Sequence, residues 1–204
     1  MIRNASTSLP PACARAMLAT VLAVCLSTVA AAQTRPAQKP AAQAAQKPQQ
    51  TEPGKPVLIA TIGDWGVYVT SGGAKQCYAL APPKERAPKE LKRDPAYFFI
   101  TTKPAEKVKN EVSIIMGFDV KTADKAAPPK ISVGSKDFRL DGQGGNLWPT
   151  GVSDPKKPDP LIEAMRGGAK MTVKVASLRG NVTTDSYSLT GLGGALDRVQ
   201  KECP

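Results

Sequence analysis

Short runs in which apolar and polar residues alternate dominate the chain from Val57 onward, and turn-forming residues separate them. Alternation with a period of two indicates β-strands with one buried face. The runs predicted as strands are VLIATI (57–62), WGVYVT (65–70), QCYALA (76–81), YFFITT (97–102), EVSIIMGFDV (111–120), KISV (130–133), DFRLD (137–141), AKMTVKVASL (169–178) and TTDSYSLT (183–190). About eight strands with few helices predict an antiparallel β-sandwich.

Several connections between these runs also carry structural signals. The pair Gly72-Gly73 is predicted to supply the positive φ angles of a tight hairpin turn. The stretch 82–95 is charged and rich in proline, which predicts a loop. The segment IIMGF (114–118) is apolar enough to be buried on both faces.

Two segments have the three- and four-residue spacing of short amphipathic helices. In PDPLIEAMRGG, Asp159 can cap the helix, Pro160 fits its first turn and Gly167 ends it. The second is a carboxyl-terminal helix, LGGALDRVQKEC, whose apolar face is predicted to pack on the sheet; this face comprises Leu192, Ala195, Leu196, Val199 and Cys203.

Residues 1–32 have the organisation of a secretory signal peptide: a basic start, an apolar run and small residues at the end. The apolar run is shorter than the roughly 20 residues that span a bilayer, which argues against a retained anchor. Val24 before Cys25 is not the small residue that a lipoprotein signal requires. We therefore predict cleavage between Ala32 and Gln33.

The remainder divides into two parts by composition. Residues 33–56 consist almost entirely of Ala, Gln, Pro and Lys and cannot bury enough apolar surface to fold, so a disordered linker is predicted. An envelope tether and a simple spacer are both open interpretations of this linker. Residues 57–204 form the predicted β-sandwich domain, which is long enough for a single core.

Of the 4 cysteines, only Cys77 and Cys203 remain after removal of the predicted signal peptide. Two cysteines in an oxidising compartment most often pair. We therefore predict a disulfide that ties the carboxyl-terminal helix to an early strand. Two buried free thiols and a bridge to another chain are the alternatives.

The formal net charge of the chain is +11. A basic domain suits contact with anionic envelope polymers, host glycans or nucleic acid, and solubility explains the charge equally well. The sequence has no long basic run and no interleaved basic and aromatic residues, which argues against specific nucleic-acid binding. A binding module is expected to gather Lys and Arg around a concave pocket, whereas an adhesin-like or structural protein is expected to show a flat patch.

Catalytic chemistry has little support in the sequence. The chain contains 0 histidines, which removes Ser-His and Cys-His nucleophiles and nearly every catalytic zinc site. The glycine-rich stretches GLGGALDR and DGQGGNLW lack the Lys-Ser/Thr pair of a phosphate loop and the repeated acidic ligands of a calcium site. The scattered aspartates are interpreted mostly as turn residues; they are Asp64, Asp119, Asp137, Asp141 and Asp185. We expect no enzyme activity, no cofactor and no metal.

The two tryptophans differ in their expected roles. Trp65 is predicted to lie in the core. Trp148 is either an exposed recognition residue or a core residue.

After the signal peptide, five blocks occur in a specific order: IGDWGVY, KQCYAL, RDPAYFFITTKPAEKVKNEVSIIMG, LIEAMRGGAKMTVK and TDSYSLTGLGGALDRVQKEC. They resemble the invasion-associated locus B family of alphaproteobacterial exported proteins over most of Ile62–Cys203. The resemblance implies an immunoglobulin-like β-sandwich in the periplasm or at the surface, no enzymatic activity and a role in bacterial entry into host cells. Many members carry a cysteine a few residues after GDW, where this chain has Tyr68-Val69-Thr70. Their early cysteine pair is thus missing here, which strengthens the predicted Cys77–Cys203 bridge.

These observations lead to two functional hypotheses. The first is a non-catalytic exported protein of the cell envelope that contributes to host-cell association. The alternative is a periplasmic binding module for an anionic glycan or a lipid headgroup. Both place the mature protein in the periplasm or at the outer surface, with an unidentified anionic partner and no membrane span after signal cleavage.

Overall fold

A computed structural model describes residues 54–70, 72–122, 128–151 and 157–204. The predicted signal peptide, its cleavage site between Ala32 and Gln33, and the linker up to residue 53 lie outside these residues.

The described residues form twelve β-strands and two α-helices. The strands are β1 (Pro56–Ile62), β2 (Trp65–Thr70), β3 (Gln76–Ala81), β4 (Glu85–Ala87), β5 (Tyr97–Lys103), β6 (Val108–Ile115), β7 (Val120–Lys121), β8 (Lys130–Val133), β9 (Lys136–Gln143), β10 (Asn146–Pro149), β11 (Lys170–Ser177) and β12 (Val182–Ser188). The helices are α1 (Pro160–Gly167) and α2 (Leu192–Glu202), and a short 3-10 turn covers Pro104–Glu106.

Two antiparallel sheets share the long strand β9. The first sheet has the order β1-β2-β3-β5-β6-β10-β9, and the second has the order β9-β8-β11-β12-β4, with β7 also pairing with β11. Residues 136–139 of β9 pair with β8, and residues 140–143 pair with β10. The strand therefore crosses from one sheet to the other, and the predicted antiparallel β-sandwich is confirmed.

The buried side chains of β11 alternate as predicted as far as Val175, and Ala176 after it is buried as well. On β11, Met171, Val173 and Val175 are buried, and Lys174 between them is exposed. Trp65 is fully buried in the core, as predicted. The helix α1 is capped by Asp159, whose Oδ1 accepts hydrogen bonds from backbone N–H groups in the first turn.

The carboxyl-terminal helix α2 packs on β1, β2 and β3. Its predicted apolar face is buried; this face comprises Leu192, Ala195, Leu196, Val199 and Cys203. In the described part of the chain, no helix is long and apolar enough to cross a bilayer.

The predicted disulfide is formed in the structure. Cys77 on β3 and Cys203 at the end of α2 are joined across a sequence separation of 126, with their Cα atoms 6.0 Å apart. Both residues are fully buried. The bridge therefore joins the end of the chain to the third strand beneath the helix.

Two predicted strand boundaries were wrong. The segment 82–95 is not entirely a loop, because Glu85–Ala87 pairs with β12 at the edge of the second sheet. The run EVSIIMGFDV is not one strand, since β6 ends at Ile115 and Gly117 takes a φ of 70°. A side chain at Gly117 would lie 2.2 Å from the carbonyl oxygen of Asp94, so the chain turns where only glycine fits.

Two further expectations need correction. IIMGF is not buried on both faces, because Ile115 points outward and is 38% exposed. Of the pair Gly72-Gly73, only Gly72 takes a positive φ, of 107°. In addition, DGQGGNLW contains a strand, β10, that forms a hairpin with β9.

Candidate functional site

Three basic residues lie side by side on the outer face of the second sheet. In the strand register, Arg139 on β9 is opposite Lys130 on β8, and Lys130 is opposite Lys174 on β11. Residues directly opposite each other in antiparallel strands share a face, with Cβ atoms roughly 4.5–5.5 Å apart. We call these three residues the basic row.

The basic row forms one wall of a cleft with a volume of about 390 Å³. Apolar residues contribute other parts of the lining, among them Pro128, Ala176 and Val182. The cleft therefore combines cationic side chains with an apolar surface. Lysine and arginine gather around a concave site here, which is the arrangement expected of a binding module.

Asp137 neutralises only part of this charge. Its carboxylate accepts a hydrogen bond of 2.5 Å from Lys130 Nζ and one of 2.6 Å from Ser132 Oγ. The hydrogen bond from Lys130 is the main cause that lowers the pKa of Asp137 below its ordinary value, and the bond from Ser132 lowers it further. The carboxylate is therefore charged at neutral pH. Arg139 and Lys174 form no ion pair with any residue in the described segments. Two positive charges of the row therefore remain available to a ligand.

A second cleft, of about 410 Å³, lies at the turn between β11 and β12. Its lining includes Lys92, Arg93 and Arg179, together with the acidic residue Asp119 and the apolar residue Leu178. Arg93 is already engaged in an internal ion pair. Lys92 and Arg179 are the cations that this cleft can offer to a ligand.

A buried ionic cluster forms beside the second cleft. Asp185 on β12 is fully buried, and its two carboxylate oxygens each accept a 2.9 Å hydrogen bond, from Arg86 Nε and from Arg93 Nη1. Arg86 also donates 2.7 Å bonds to the backbone carbonyls of Asp94 and Met116. Burial raises the pKa of Asp185, and the two arginines oppose that rise. The cluster fastens the segment before β5 to the second sheet and holds Arg93 at the cleft.

The interpretation of the aspartates as turn residues is therefore wrong for Asp185. It occupies an inward position of β12, between the buried residues Thr183 and Tyr187. The alternation in TTDSYSLT carried this information, because it placed Asp185 on the same face as Tyr187. What the sequence did not reveal were the arginine partners, which lie 92 and 99 positions away along the chain.

Other residues considered from the sequence have structural roles. The side chain of Asp141 accepts a hydrogen bond from the backbone of Gly142, and Asp64 pairs with Lys84 at 2.5 Å. Gly191 has a φ of 86°, and a side chain there would clash with the carbonyl of Ile62. Within the described segments, no three acidic or cysteine side chains gather as metal ligands would.

Aromatic side chains also meet on the outer face of the first sheet. The rings of Tyr68 and Tyr78 stack at 5.2 Å, Tyr78 contacts Phe99 at 5.7 Å, and Phe99 contacts Tyr97 at 6.3 Å. All four side chains are partly buried, and Tyr68 and Tyr78 are a directly opposite pair that stabilises the contact between β2 and β3. Trp148, in contrast, is 41% exposed, which makes it an exposed aromatic residue.

Comparison with solved structures shows a likeness of fold. The fold is similar to the crystal structure of invasion associated protein B from Bartonella henselae, with a TM-score of 0.47 and 14% sequence identity, over 70% of this chain and 95% of that chain. No protein-family model and no curated protein sequence matches this chain. The structural likeness is too distant to assign a family or a function.

Proposed function

We propose that this chain is an exported, non-catalytic protein of the cell envelope, of the invasion-associated locus B type, that binds an anionic ligand in the cleft beside the basic row. The observation that carries the proposal is the row itself: three cations in direct cross-strand register, beside which the described part of the chain places one carboxylate, that of Asp137. The family assignment rests on the sequence blocks that resemble that family.

The energetics of the sheet support a binding role for the row. Like charges directly opposite each other destabilise a sheet. Uncharged polar residues at these positions would keep the face soluble without that cost. A local arrangement that costs stability without improving packing is typical of a functional site. Arg139 and Lys174 can donate charge-assisted hydrogen bonds to phosphate, sulfate or carboxylate groups.

The shape of the site favours the binding-module hypothesis over an adhesin with a flat patch. The row lines a cleft, so a ligand group that enters it contacts cations and apolar side chains together. Host association enters the proposal through the family resemblance alone. If the protein acts in host association, its anionic partner lies on the host-cell surface and not in the bacterial envelope.

Binding to a soluble polyanion tests the proposal. The purified protein is titrated with dextran sulfate at two salt concentrations, alongside the double variant R139Q/K174Q and the control K109Q, which removes an exposed charge from β6 of the first sheet. We expect the double variant to bind about tenfold more weakly, since two charge-assisted contacts are lost. We expect K109Q to bind like the unmodified protein. Equal weakening by both variants would mean that the net charge, and not the cleft, attracts the polyanion.

A further inference from the structure

The tip of the β11–β12 hairpin exposes two large apolar side chains. Leu178 is 66% exposed and Val182 is 48% exposed, on either side of a short turn that contains Arg179. Leu178 has the largest exposed fraction among the large hydrophobic residues in the described segments. Neither residue belongs to the buried core or to the partly buried hydrophobic residues that pack against it.

The exposed tip lies next to the basic row. Val182 is opposite Ala176. This pair lies two residues along β11 from the pair Lys174–Thr184, a distance of about 7 Å along the strand. Val182 and Lys174 line the same cleft. Leu178 lines the second cleft, together with Arg179. The apolar tip is therefore bordered by cations on both sides.

We infer that this tip docks on an anionic lipid surface. Leu178 and Val182 enter the boundary between headgroups and acyl chains, while Arg139 and Lys174 contact lipid phosphates and Arg179 lies at the headgroup level. Apolar side chains flanked by cations are the combination that holds proteins at an anionic membrane interface. This inference rests on the proposed function, because it assigns the ligand of the same cleft to a lipid headgroup.

The apolar residues distinguish a membrane from a soluble anionic glycan. A hydrated polymer can neutralise the basic row, but it leaves Leu178 in water. A lipid surface neutralises the row and also removes Leu178 and Val182 from water, which the hydrophobic effect favours. Binding to a lipid surface should therefore depend on Leu178 and Val182, whereas binding to a soluble anionic polymer should not.

Vesicle flotation tests the inference with the protein as it is recovered from cells. The probes are vesicles of phosphatidylcholine, vesicles of phosphatidylcholine with phosphatidylglycerol, and dextran sulfate as the soluble polyanion. The tip variant is L178S/V182S. Its control is L58S, which removes a half-exposed apolar side chain from β1 at the edge of the first sheet. Thermal melting verifies that each variant is folded.

We expect the unmodified protein and L58S to bind the anionic vesicles and to leave the neutral ones unbound. The tip variant should bind the anionic vesicles about tenfold more weakly, because two side chains no longer enter the interface. R139Q/K174Q should weaken binding to the anionic vesicles as well as to dextran sulfate, in both cases by about tenfold. Part of the vesicle binding should persist at a salt concentration that abolishes dextran sulfate binding, since salt screens charges but not apolar contacts.

The remaining outcomes separate this inference from the proposed function. If the protein binds dextran sulfate through the basic row and ignores anionic vesicles, the lipid inference is overturned and the anion-binding function stands. Vesicle binding that is equally strong with L178S/V182S also overturns the role of the tip. If the protein binds neither probe, both the inference and the proposed function fail.

Discussion

Replacing Asp185 with asparagine should destabilise the protein strongly, although the change removes only one charge. Asp185 is fully buried, and the side chain of Arg93, one of its two partners, is only 6% exposed. In the variant, two guanidinium groups lose their counter-charge in a poorly solvated site. Breaking a buried ion pair by removing one partner costs about 3–5 kcal/mol. For a domain of this size, each kcal/mol lowers the melting temperature by about 2–4 °C, so we expect a decrease on the order of 10 °C.

Thermal unfolding followed by circular dichroism, together with urea titration, measures this effect. The matched control is D137N, which breaks an ion pair whose carboxylate side chain is 54% exposed and should cost less than about 1 kcal/mol. The double variant D185N/R93M should be less destabilised than the sum of its single variants, because the two residues share one interaction. If D185N and D137N melt at the same temperature, the buried cluster does not stabilise the fold and the argument fails.

Three further predictions concern the bridge, the cleft and export. C203S and C77S should each lower the free energy of unfolding by up to about 4–5 kcal/mol. The double variant should lose little more, because each change removes the same bond across 126 positions. Clearly additive effects on unfolding in urea would contradict this. D137N should bind dextran sulfate roughly two- to fivefold more tightly, since it removes the counter-charge of Lys130, and an unchanged affinity in the same titration would show that Asp137 does not limit the site. Intact-mass measurement of protein from the periplasmic fraction should give a chain that begins at Gln33, and a mass that includes the first 32 residues would refute the predicted signal peptide.

Much of the fold was determined by local patterns in the sequence. The alternation in AKMTVKVASL specified the buried face of β11, and the three- and four-residue spacing from Leu192 to Cys203 specified the buried face of α2. Both patterns work because burial on one face repeats with the period of the element. The pairing of Cys77 with Cys203 followed from counting the cysteines left after the predicted signal peptide.

The candidate site, in contrast, was decided by tertiary structure. Arg139, Lys130 and Lys174 come from three strands, and only the register of β9, β8 and β11 aligns them in one row. Nothing in the local pattern around Arg86 predicts β4, because that strand is held by pairing with β12 and by an ion pair to Asp185.

Burial follows from the sequence of each element, whereas strand pairing depends on several elements at once. A periodic sequence records which face of an element avoids water, and each element carries that record by itself. Which residues meet across a sheet depends on the order and register of strands that are far apart in the chain, and these are set by the joint packing of both sheets. Local patterns therefore predicted most of the strands, both helices and the bridge, whereas β4 and the row of charges depend on how distant strands pair.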